Sequence, residues 1–66
     1  GSQVTVPRQD LDWVVTELGR MGKASCSDLR RRFPEPIEVE EMERMLSILE
    51  EDRVVYRLGG IWRLTS

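Results

Sequence analysis

Two adjacent glycines, Gly59 and Gly60, stand between Val54-Val55-Tyr56-Arg57-Leu58 and Ile61-Trp62-Arg63-Leu64. Both flanks are rich in β-branched and aromatic residues, and paired glycines permit the positive φ angles that a two-residue hairpin turn requires. The segment is expected to close as an antiparallel hairpin in which Leu58 faces Ile61, Arg57 faces Trp62, Tyr56 faces Arg63 and Val55 faces Leu64. In that register Val55, Trp62 and Leu64 share one face, assigned to the core, and Arg57 can lie over Trp62. Val54, Tyr56, Leu58, Ile61 and Arg63 take the other face.

Upstream the period is helical. Leu11, Val14, Val15 and Leu18 recur at i, i+3, i+4 and i+7, and Met21 continues the stripe, so a first helix is expected over about Arg8 to Met21. Pro7 suits a helix start and Gly22 a left-handed cap at its end. Trp13 falls off the stripe, as a partly buried edge residue or a partner contact. Ser25-Cys26-Ser27-Asp28 resembles a capping box, in which the serine oxygen accepts a first-turn amide and the carboxylate answers it. Leu29 and Phe33 then face the core, and Phe33-Pro34-Glu35-Pro36 ends this second helix. A third helix is expected from about Glu38 to Glu51, with Val39, Met42, Leu46 and Leu49 as its stripe, widened by Met45 and Ile48.

At 66 residues the chain holds one domain at most. Residues 8–65 are assigned to it, and residues 1–7 to a lead-in whose Gly1-Ser2 looks like the remnant of a cleaved tag. A chain this short buries about 60% of the surface it exposes unfolded, so a thin core carries its stability. Hydrophobic residues make up 39% and charged residues 33%, a balance that suits a globular domain over a disordered tail. No apolar run approaches the ~20 residues of a membrane span, and no membrane association is expected. Cys26 is the only cysteine, which excludes an internal disulfide and fits a reducing, intracellular setting. The chain has no histidine, which removes Cys/His zinc sites and any histidine-dependent nucleophile or base. No metal, cofactor or small-molecule substrate is expected, and the chain reads as a binding module rather than an enzyme.

The order helix, short extended segment, capped short helix, turn, longer helix and hairpin resembles the winged-helix branch of helix-turn-helix domains. Gly22-Lys23-Ala24-Ser25 followed by Asp28-Leu29-Arg30-Arg31-Arg32-Phe33 is similar to that superfamily's strand and capped second helix. Residues 46–64, LSILEEDRVVYRLGGIWRL, look like the end of its third helix and its wing. The resemblance covers residues 8 to 65 and implies an α+β fold: a small winged helix, with a three-helix bundle and a C-terminal two-stranded β-hairpin wing. It also implies a setting in transcription, replication or repair, in nucleus or cytoplasm. Winged helices commonly lay their third helix in the DNA major groove with the wing on adjacent backbone, while other members bind proteins.

Charge separates these jobs. Residues 1–34 carry six basic and four acidic side chains, a balance of +2. Residues 35–52 carry Arg44 against eight acids, a balance of −7, and residues 53–66 carry Arg53, Arg57 and Arg63, a balance of +3. DNA binding draws much of its affinity from cations that displace counterions, so Glu38, Glu40, Glu41 and Glu43 on the first turns of the third helix argue against groove insertion. The favoured partner is a protein, offering a basic or amphipathic segment to Glu38, Glu40 and Glu41, with Met45, Ile48 and Trp13 as apolar candidates. The alternative is nucleic acid held by Arg30, Arg31 and Arg32 of the second helix and Arg53, Arg57 and Arg63 around the wing. Three consecutive arginines also point in different directions around a helix, as ordinary solvated charges do.

Overall fold

The computed structural model describes residues 6–65; the suggested tag remnant Gly1-Ser2 lies outside them. Three helices, α1 (Arg8–Met21), α2 (Cys26–Arg32) and α3 (Val39–Glu51), precede two strands, β1 (Val55–Leu58) and β2 (Ile61–Leu64). This is a small α+β domain, three helices followed by a two-stranded antiparallel hairpin, compatible with a winged-helix layout.

Each boundary has a local cause. Gly22 ends α1 with a positive φ of 80° and donates its N–H to the Leu18 carbonyl at 2.8 Å, although its ψ of −40° departs from the left-handed helical geometry expected of a glycine cap. The capping box at α2 is complete: Ser25 Oγ accepts from the Asp28 N–H at 3.2 Å, and Asp28 Oδ2 accepts from the Ser25 N–H at 3.3 Å. The second bond is the longer one, as the shorter reach of aspartate than glutamate in the fourth position predicts. α3 starts one residue later than expected, with Glu38 extended at φ −76°, ψ 153° as its N-terminal flank.

The end of α3 turns on a residue that the sequence does not mark. Arg53 has φ 61°; its N–H donates to the Glu50 carbonyl at 3.0 Å, and the Val54 N–H donates to the Leu49 carbonyl at 2.9 Å. These are the paired bonds of a Schellman motif, with arginine in the left-handed position where glycine is usual. Leu49 is buried and Val54 packs against the core, supplying the motif's apolar contact.

The hairpin has the expected register, Val55↔Leu64, Tyr56↔Arg63, Arg57↔Trp62 and Leu58↔Ile61. Gly59 and Gly60 both have positive φ, 60° and 80°, as a type I′ turn demands. A Cβ at either glycine would meet nothing within 4 Å, so backbone geometry and not space makes glycine the fitting residue there. β2 gains a further neighbour on its other edge. Ala24 and Trp62 exchange both backbone hydrogen bonds, at 3.0 and 2.8 Å, so the extended link between α1 and α2 acts as a one-residue third strand.

The core lies where all elements meet. Val14 and Leu18 of α1, Leu29 of α2, Met42, Met45, Leu46 and Leu49 of α3, and Val55 and Trp62 of the hairpin are buried, with Ala24 beside them. The faces read from sequence are the ones that pack, with one exception: Val39, expected in the α3 stripe, is 42% exposed, because it opens the helix before the face that meets the core. Each fully buried large side chain stabilises the fold by ~1.5–3 kcal/mol.

Candidate functional site

α3 presents a continuous polar stripe away from the core. Its buried residues Met42, Met45, Leu46 and Leu49 define one face, and Glu40, Glu43, Ser47 and Glu50 stand exposed at i, i+3, i+7 and i+10 on another. Glu43, Arg44, Ser47 and Glu50 line an open groove of about 400 Å³ whose opposite wall is Arg57 and Trp62 of the hairpin. The Arg57 guanidinium carbon lies 5.5 Å from the centre of the Trp62 ring, within cation–π range. The groove therefore has an acidic helix on one side and a cation held over an aromatic ring on the other.

The α3 carboxylates are open to a ligand. The ion pairs among the described residues both use Glu17 of α1, which meets Arg20 at 3.9 Å and Arg32 at 3.6 Å. No carboxylate of α3 is paired among the described residues. Glu38, Glu40 and Glu41 are all exposed, but they do not converge. Successive residues turn by ~100° about a helix, so Glu40 follows the outward stripe while Glu41 borders a small pocket against Val6, Pro7 and Asp10. Glu43 and Glu50, absent from the expected site, carry the groove instead. Their spacing with Ser47 at i, i+4 and i+7 carries this signal in the sequence, beside the denser glutamates at the start of the helix.

Several expected contact residues have structural employment. Met45 is 2% exposed and belongs to the core, because it lies on the same helical face as Met42 and Leu49. Trp13 is half-buried and meets Phe33 edge-on, with ring centres 4.9 Å apart and planes at 79°, which fastens α1 to the end of α2. Ile48 remains half-exposed.

The arginines of the α2 run have different surroundings, although Arg30 and Arg31 both line an open groove against Pro36, Ile37 and Glu38. Arg30 Nε donates to the Ile37 carbonyl at 3.0 Å, Arg32 is paired with Glu17, and Arg31 alone is exposed without either tie. The hairpin arginines are also divided. Arg57 faces the groove with Trp62, Arg63 lies on the opposite face beside Tyr56, and Arg53 sits in the turn after α3.

Cys26 is half-buried, and burial pushes its thiol above the ordinary value of 9.0; Glu43 acts in the same direction and Arg30 opposes. Desolvation and Glu43 together thus outweigh the lowering by Arg30. Among the described residues no group of three His, Cys, Asp or Glu side chains is placed to hold a metal ion, and no helix is long and apolar enough to cross a membrane. No protein-family model matches this chain, and no curated protein and no solved structure matches it.

Proposed function

We propose that this domain is a non-catalytic winged-helix module that docks a basic or amphipathic protein segment along α3. The observation that carries this reading is the outward stripe of Glu40, Glu43 and Glu50, whose carboxylates have no cationic partner among the described residues. The winged-helix assignment draws on the order of elements and on the Ala24–Trp62 bridge, which supplies the short strand between the first two helices. In a DNA groove the same stripe would face phosphates and repel them, whereas a Lys- or Arg-bearing segment would be attracted. The intracellular setting in transcription, replication or repair follows from the resemblance.

Titration with an amphipathic Lys/Leu peptide, followed by amide chemical shifts, tests the reading. Shifts centred on Glu40, Glu43, Ser47 and Glu50 support it, together with about tenfold weaker binding by a Glu40→Lys/Glu43→Lys variant. Unchanged affinity in that variant would show the acidic face to be merely solvated.

A second reading, nucleic-acid contact through the wing, draws on Arg53, Arg57 and Arg63, all exposed. Their division between two faces and a turn favours an auxiliary role, and loss of DNA affinity in an Arg57→Ala/Arg63→Ala variant would support it.

A further inference from the structure

The hairpin face turned away from the core has a pattern that the α3 site does not use. Leu58 and Tyr56 are exposed large apolar side chains, at 67% and 39%, and the register sets them directly across from Ile61 and Arg63. The Ala24–Trp62 bridge extends this register by one strand. Ala24 and Trp62 are both buried, so extending the antiparallel register of their single bridge by one residue each way turns the neighbours to the opposite side, Lys23 next to Arg63 and Ser25 next to Ile61. The outer face is thus two rows: Tyr56, Arg63 and Lys23 in one, Leu58, Ile61 and Ser25 in the other.

Two cations directly opposite each other on neighbouring strands repel, and neither Arg63 nor Lys23 is paired with a carboxylate among the described residues. An anionic group seated between them relieves that repulsion. Beside them the Leu58–Ile61 row offers apolar area, with Leu58 67% exposed and Ile61 half-exposed. We infer that this outer hairpin face is a second docking surface, whose occupant is an acidic amphipathic segment of a protein partner. Its carboxylates meet Arg63 and Lys23, and its apolar side chains cover Leu58, Ile61 and the Tyr56 ring. The apolar row decides against nucleic acid, whose backbone would leave Leu58 uncovered; a single exposed aromatic is also a poor stacking platform. The two surfaces of the domain then have opposite polarity, acidic along α3 and basic-apolar on the hairpin, so one module can bridge two different segments.

The test uses the 66-residue chain and a fluorescein-labelled peptide alternating Glu and Leu, with oligo-dT as competitor. The expected result is saturable binding with amide shifts at Lys23, Tyr56, Leu58, Ile61 and Arg63. Leu58→Ser and Arg63→Glu should each weaken it about tenfold or more, and Glu40→Lys/Glu43→Lys should not. Leu58 is largely exposed, so Leu58→Ser is expected to keep the parent's thermal midpoint, which separates loss of binding from loss of fold. Shifts confined to α3, unchanged affinity in Leu58→Ser, or displacement of the peptide from these residues by oligo-dT would each overturn the inference.

Discussion

Arg30 donates from Nε to the carbonyl oxygen of Ile37 at 3.0 Å, tying the last turns of α2 to the chain that leads into α3. A charged donor to a half-buried carbonyl contributes about 1–2 kcal/mol here, at the low end for charge-assisted bonds because Arg30 is partly solvated. Arg30→Ala should lower stability by that amount in urea titration, while Arg31→Ala, exposed and untied, should stay within ~0.5 kcal/mol of the parent. Equal losses would contradict the division of the arginine run into a structural and a solvated part.

Arg53 occupies a left-handed position that costs an L-residue ~1–2 kcal/mol and glycine almost nothing. Arg53→Gly gives back part of that gain through the greater freedom of glycine in the unfolded chain. A net rise of about 0.5–1 kcal/mol is expected, read as a higher thermal midpoint. A fall would mean that the arginine side chain makes a stabilising contact that outweighs its backbone strain.

Met45 and Ile48 both widen the apolar stripe of α3, yet only Met45 is buried. Met45→Ala should cost ~2–5 kcal/mol, while Ile48→Ala should cost less than half as much. Denaturant midpoints compare them directly. Comparable losses would return Ile48 to the core.

That pair shows what the sequence made legible. Periodicity located the helices because Val14, Leu18, Met42 and Leu46 are buried at the centre of each stripe, and Gly59-Gly60 set the hairpin register because backbone geometry at such a turn leaves little choice. The edges of the stripes were harder. Met45, Ile48 and Trp13 lie where a few tens of degrees of helix rotation decide between core and solvent, and that rotation depends on the neighbouring element. The arginine run was opaque for a related reason: Glu17 and the Ile37 carbonyl are distant in sequence and adjacent only after folding. The groove between α3 and the hairpin joins residues 43–50 to Arg57 and Trp62, a pairing that no local pattern encodes.

The raised thiol pKa of Cys26 has a directional consequence for pH. The folded state favours the protonated thiol more than the unfolded state does, so its contribution is fully present below the ordinary value of 9.0 and is lost as pH rises through the higher folded value. Iodoacetamide should alkylate the folded protein more slowly than the urea-unfolded chain at about pH 8, where thiolate governs the rate. Faster reaction in the folded protein would mark an activated thiol and contradict the burial account.

Titration with duplex DNA at low and moderate salt decides whether α3 meets protein or the DNA groove. With an acidic α3 turned to protein, no sub-micromolar binding is expected, and amide shifts on α3 stay flat as DNA is added. Sub-micromolar affinity that falls steeply with salt, with shifts along Glu40, Glu43, Ser47 and Glu50, would contradict it.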